Sequence, residues 1–129
     1  MQSKVLKFHE KHDLPIGRMN DLRGNNILEG KLNDLCKVYE GAVLSRDKRI
    51  ALILEEVHEL AVALNGGTRE SAADAIGDIL YTVFGAAVQY GVDAEKAFDA
   101  VHKSNMTKGS ADKDDAEYKG DDYDEPEHD

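Results

Sequence analysis

Apolar residues recur along this chain at helical spacing, and five stretches of that kind can be marked before any chemistry is considered. Gln2 to His12 carries Val5, Leu6 and Phe8 and must stop before Pro15, which disfavours helical backbone in the residue ahead of it. Ile16 to Asn26, rich in Gly, Asn, Asp and Arg, has no period and reads as a loop. Leu28, Leu32, Leu35, Tyr39 and Val43 predict a helix over Leu28–Leu44. Ser45 is then a suitable N-cap for Arg46–Leu64, whose stripe is Ile50, Ile53, Leu54, Val57, Leu60, Ala61 and Leu64. Asn65-Gly66-Gly67-Thr68 ends that helix, and Thr68 can cap the next, which runs to Tyr90 and stops at Gly91. Asp93 caps a last helix striped by Ala97, Phe98 and Val101 and ending near Asn105. No strand alternation or internal repeat competes, so the class is all-α: a bundle of four to five helices.

The pattern is broken on its polar side by two acidic groups. Glu55-Glu56-Val57-His58-Glu59 lies in one helix and Asp74-Ala75-Ile76-Gly77-Asp78 in the next. With about 100° of turn per residue, Glu56 falls just outside its apolar stripe, Glu59 one step further out, and Glu55 faces away. Asp74 and Asp78 are the only charged residues between Ser71 and Val92, and a spacing of four puts them on one side of their helix, continued by Tyr81, Gly85 and Val88. That helix is apolar nearly all round, and it has no lysine or arginine to pair with its aspartates. Two helices packed so as to bring these pairs together would form an oxygen-rich cage for a cation. The apolar faces are also too many for one small chain to cover, which predicts a homodimer as the minimum and allows a tetramer.

Composition changes this picture in only a few places. The 129 residues, 41% hydrophobic and 33% charged, suit one soluble domain with a modest core. Of the net charge of -10, residues 109–129 carry -8, because ten acids there face only Lys113 and Lys119. Residues 1–108 therefore read as the folded domain and 109–129 as an acidic, solvated, flexible tail. Nothing in the charge pattern supports binding to nucleic acid. The start is polar and the longest apolar run, Ile79–Val88, is half the length of a membrane span, so a cytoplasmic protein with no membrane association is expected. Cys36 falls in an apolar helical pattern and reads as a core filler, in keeping with a reducing compartment. Glu55-x-x-His58 and Asp99-x-x-His102 have the spacing of di-iron carboxylate helices, but Glu55 and His58 point away from the apolar stripe, against that chemistry. His9 and His12 read as surface residues and Phe8 as a packing residue.

Glu55-Glu56-x-x-Glu59, the aspartate helix, and the run from Gly91-Val92-Asp93 to Val101-His102-Lys103-Ser104-Asn105-Met106-Thr107-Lys108 together resemble the MazG-like all-α nucleoside triphosphate pyrophosphohydrolases. That superfamily includes phosphoribosyl-ATP pyrophosphohydrolase and the all-α dUTPases and dCTPases. Weaker echoes are Phe8-His9-Glu10-Lys11, Arg49, and Lys119-Gly120-x-x-Tyr123-x-x-Pro126, the last similar to the ending of small phage and bacterial members. The similarity is strong over Arg49–Lys108 and faint over Ile16–Leu44, a segment that could line the base pocket. One departure stands out: the usual second motif, Glu-x-x-Asp, would place a glutamate at 75, where this chain has Ala75, and Asp74 is the substitute available.

The resemblance implies hydrolysis of a nucleoside triphosphate between its α- and β-phosphates, releasing a monophosphate and pyrophosphate, as in nucleotide-pool house-cleaning. It implies Mg²⁺, with Mn²⁺ as a substitute, held by Glu56, Glu59, Asp74 and Asp78, hard oxygen donors of the kind such ions take. Glu55 is left to orient or deprotonate the attacking water, and Asn105 and Lys108 to hold sugar and phosphate. Two other classes stay open on the residues themselves: a helical dimerisation or regulatory module whose acids are merely structural, and a nucleotide binder without turnover, which Ala75 makes conceivable.

Overall fold

The computed structural model describes residues 1–17, 26–109 and 122–128, and among these residues every regular element is an α-helix. The helices are α1 (Gln2–His12), α2 (Asn26–Tyr39), α3 (Ser45–Leu64), α4 (Arg69–Tyr90) and α5 (Ala94–Asn105), so the all-α class holds. Residues 18–25, most of the expected loop, and 110–121 of the expected tail lie outside the described residues. The chain divides into two compact units, one of residues 19–91 and the other of residues 1–18 with 92–129.

In the first unit α3 is the middle helix, packed against α2 on one side and α4 on the other. The punctuation of α4 follows its local chemistry. Thr68 caps the helix by accepting from the Ser71 backbone N–H, and the Ser71 side chain returns the bond to the Thr68 backbone N–H, a capping box closed by serine. Gly91 ends α4 in the left-handed conformation, its N–H returned to α4 carbonyls.

Two boundaries differ from expectation. Ser45 is the first residue of α3 and not its cap; Leu44 takes that position without a side-chain bond, and Lys48 N–H reaches the Leu44 carbonyl instead. α2 stops at Tyr39, and Glu40 and Gly41 form a turn, so Val43, in phase with α2, is instead left 83% exposed. Asn65, past the end of α3, donates to a Glu29 carboxylate oxygen at 2.7 Å and ties the α3–α4 turn to α2.

The core of this unit is made of small residues. Ala63, Ala72 and Ala75 are buried, while Ile76, Leu80, Tyr81, Val83 and Val88 of α4 are all exposed in the single chain. Cys36 is half-buried, and burial raises its thiol pKa, with the Glu55 charge adding to the shift. α4 is long and apolar enough to cross a membrane by length and composition alone, a property hidden in the sequence by counting only its longest uninterrupted apolar run. In this chain it packs along α3.

In the second unit α1 lies against α5, with Lys4 paired to Asp99 and the Lys11 ammonium donating to the Met106 carbonyl. Asp93 caps α5 by accepting from the Lys96 N–H at 3.0 Å. His9 and His12 depart from their expected surface positions to different degrees. His9 uses Nδ1 to reach the Pro15 carbonyl at 3.0 Å, helping to close the end of α1. His12 is 4% exposed, tilted against Phe8 with ring centroids 4.4 Å apart, and burial, then the charges of Lys11 and Lys108, lower its pKa. The Phe8 contact confirms that ring as a packing residue.

Residues 122–128 are mostly exposed, but the chain is tied to the end of α5 at Tyr123 and Asp124. Ser104, 3% exposed, donates to the Asp124 carbonyl at 2.6 Å, and the Asp124 N–H donates to Thr107 Oγ1 at 2.7 Å. Tyr123 reaches the same Ser104 hydroxyl at 3.3 Å. Two hydroxyls from the end of α5 thus satisfy both backbone groups of Asp124. Ser104→Ala leaves that carbonyl without its donor and is expected to cost about 1 to 2 kcal/mol, read as a lower urea midpoint at unchanged slope.

Candidate functional site

The site expected from the two acidic groups lies where α3 and α4 run antiparallel. Three approaches set their register. Near the turn, a Cβ added at Gly67 would stand 2.5 Å from Ser71 Oγ and 2.6 Å from the Ala63 carbonyl, a closeness only glycine permits. One heptad back along α3 and one forward along α4, Glu56 has Asp78 as its largest charged influence. Another heptad on, the Arg49 guanidinium crosses the backbone of Gly85. Steps of seven residues return each helix nearly to the same face, so Ala63, Glu56 and Arg49 share a stripe that meets Ser71, Asp78 and Gly85.

A cavity of about 630 Å³ opens along this seam, lined by Glu56, Glu59, Val62, Ala63, Gly67, Ser71, Asp74, Ala75 and Asp78. The structure therefore brings together all four carboxylates expected as ligands. Glu56 is half-buried, and Glu59, Asp74 and Asp78 are exposed at the margin. Ala75 is buried in the wall at 4% exposure, where the family pattern would put a carboxylate. Among the described residues, no three His, Cys, Asp or Glu side chains converge as a closed ligand set, so the expected cage is, in the single chain, an open acidic wall.

The electrostatics of that wall are unbalanced. Burial raises the Glu56 pKa first, and the charges of Asp78, Glu59 and Glu55 raise it further. No lysine or arginine pairs with any of these carboxylates among the described residues. All the charged donors are carboxylate oxygens, and the cavity has room for water and phosphate oxygens, the surroundings in which Mg²⁺ or Mn²⁺ is usually bound. The residues present thus fit such an ion in donor chemistry.

Other expected residues fall elsewhere. Glu55 is exposed and does not line the cavity; its charge is felt by Cys36 of α2 as well as by Glu56. Asn105 and Lys108 belong to the other unit, at the end of α5 and just past it. There the neighbouring Ser104 and Thr107 hold the returning segment at Asp124, a role not foreseen from the motif. Ser71 was also missed as a lining residue, although Thr68-x-x-Ser71 already marked it as a first-turn residue facing the α3–α4 turn.

Fold and cavity define an all-α protein with a carboxylate-lined site between two antiparallel helices. The chain belongs to the phosphoribosyl-ATP pyrophosphohydrolase family, whose model matches residues 26–105. The match begins at α2, so it takes in a helix in which the resemblance read from motifs was faint, and it ends with α5. It places the chain among the nucleotide pyrophosphohydrolases. No curated protein and no solved structure gave a match.

Because the folded pKa of Glu56 is raised, deprotonation destabilises the fold at neutral pH, and stability is regained as pH falls through that pKa. Asp78→Asn removes the largest charge cause. In EDTA at pH 7 it is expected to raise the melting temperature and to lower the Glu56 pKa, read by carboxyl carbon NMR titration. An unmoved Glu56 pKa would mean that the two side chains are not neighbours in solution.

Proposed function

We propose that this protein hydrolyses a nucleoside triphosphate between its α- and β-phosphates in a reaction that depends on Mg²⁺ or Mn²⁺. The observation that carries the reading is the four-carboxylate seam of α3 and α4, in a chain of a pyrophosphohydrolase family. Glu56, Glu59 and Asp78 are the ligands proposed for the metal, with Asp74 in place of the glutamate absent at 75. A bound divalent ion would offset the triphosphate charge and acidify a water near it.

The chain's own part is to keep the carboxylates poised and the phosphates in place. One water is consumed: its oxygen bonds to phosphorus, the α–β bridging P–O bond breaks, and pyrophosphate leaves. The water's proton passes to a carboxylate that lines the cavity. Glu55, outside that cavity, contributes through its charge on Glu56 and is not proposed as the base. Asn105 and Lys108 remain proposed contacts for sugar and phosphate on the motif alone.

A homodimer is the proposed working form. Tyr81, 83% exposed, and Val88, 82% exposed, lie seven residues apart on the side of α4 that also carries Asp74 and Asp78. Exposed apolar residues in a row of this kind mark an interface. Wild type is expected to sediment at twice the chain mass, and Tyr81→Glu with Val88→Asp to sediment as a monomer.

The activity is tested by pyrophosphate release from a panel of ribo- and deoxynucleoside triphosphates with Mg²⁺ or Mn²⁺. Glu59→Gln is expected to lower kcat/KM by about two orders of magnitude, as the loss of a transition-state-stabilising group usually does. Either ion at 100 times its Kd is expected to stabilise wild type by about 2.7 kcal/mol. No turnover on any substrate, with no thermal shift by either ion, would overturn the reading in favour of a non-catalytic helical module.

A further inference from the structure

Arg49 lies in the groove between α3 and α4, one heptad from Glu56 and outside the lining of the carboxylate cavity. Its Nε donates to Gln89 Oε1 at 3.1 Å, and its Nη1 lies 2.6 Å from where a Cβ at residue 85 would be. Gly85 sits inside a helix, where glycine is less favourable than alanine, and here the missing side chain is the space the guanidinium occupies. Gln89 is a neutral amide, so it fixes the direction of the guanidinium without offsetting its charge. Among the described residues no carboxylate forms an ion pair with Arg49. The arginine is half-buried, steered by a neutral neighbour and seated in a notch, and its charge is available to a ligand.

Its position along the groove says which ligand. Arg49 precedes Glu56 by seven residues and Gly85 follows Asp78 by seven, so the guanidinium lies on the Glu56–Asp78 stripe about 10 Å further along the helix axes. A hydrogen bond of about 2.8 Å at the guanidinium end and an oxygen–ion–oxygen bridge of about 4 Å at the carboxylate end leave a gap that a short phosphate chain can bridge. A guanidinium takes phosphoryl oxygens two at a time through parallel N–H donors, which an ammonium cannot do.

We propose that Arg49 binds the terminal phosphoryl group of the substrate, and equally the far end of released pyrophosphate, while the other end lies over Glu56 and Asp78. The inference rests on the pyrophosphohydrolase reading for its substrate, but its test does not depend on turnover.

The probe is inorganic pyrophosphate with Mg²⁺, its binding measured by calorimetry for wild type, Arg49→Lys, Arg49→Gln and Gly85→Ala, with a nucleoside monophosphate as comparison. Arg49→Gln is expected to weaken pyrophosphate binding by about 10- to 100-fold while monophosphate binding moves less than twofold. Arg49→Lys recovers part of the loss. Gly85→Ala, which keeps the arginine but fills its notch, weakens pyrophosphate binding in the same direction. Pyrophosphate affinity unchanged within twofold in both Arg49 variants would overturn the proposal, as would equal losses for both ligands. Wild type that binds pyrophosphate through Arg49 yet hydrolyses no triphosphate would defeat the hydrolase reading and leave this one standing.

Discussion

The repulsion among carboxylates across the α3–α4 seam is the constraint on which the functional part of this molecule depends. Glu56 is partly withdrawn from water and flanked by the charges of Asp78, Glu59 and Glu55, and its raised pKa is the measure of that crowding. Among the described residues, no lysine or arginine pairs with these carboxylates. The helices pack together all the same, with the small residues Ala63, Ala72 and Ala75 buried in the unit. Apolar packing therefore keeps like charges together, an arrangement that costs stability and that the proposed cation would relieve. Sites that sacrifice stability in this way are more often functional than structural.

Much of this was legible in the residues because the informative signals are local. The caps Thr68 and Asp93 and the glycine stop at Gly91 depend on neighbours within one or two turns, and the structure reproduces them. The carboxylate pairs were legible for the same reason, since spacings of three and four on a helix determine direction. What could not be read was anything set by contacts distant in sequence. His12 is polar and near the start, and only the approach of α1 to α5 buries it. Asp122 to His128 has the composition of a solvated tail, yet two hydroxyls at the end of α5 give Asp124 the backbone bonds that water would otherwise supply. The early end of α2 shows the same limit, since Val43 is in phase with its stripe but follows Gly41.

The two readings of α4 come together through its exposure. A helix whose only charged residues beyond Glu70 are two aspartates, with apolar positions on every side, is an awkward element for a monomer: one face packs on α3, and Tyr81 and Val88 stay in water. The same composition lets it pass for a membrane-crossing segment by length alone. Burial against a second copy would cover the apolar side, and because Tyr81 and Val88 continue the line of Asp74 and Asp78, an interface there would border the acidic seam. In the proposed dimer, assembly and site formation are therefore linked by helix geometry.

The shift from position 75 to 74 has a physical consequence for the proposed ion. Neighbouring helical positions differ by about 100° and 1.5 Å, enough to move a carboxylate from the buried wall, where Ala75 is 4% exposed, to the exposed margin, where Asp74 is. Aspartate is also one methylene shorter than the glutamate usual at 75. A carboxylate in the wall would meet an ion directly and lose its own water in doing so, whereas one at the margin keeps its water and can act through it. Mg²⁺ releases its hydration reluctantly and is commonly bound by one or two carboxylates with several waters retained. A site with Glu56 half-buried in the seam and Asp74 and Asp78 at its exposed margin suits that preference better than a dry four-carboxylate cage, which would confine four negative charges with less solvent to screen them. The missing glutamate thus alters how the proposed site would hold its ion without removing the chemistry for which the seam is built.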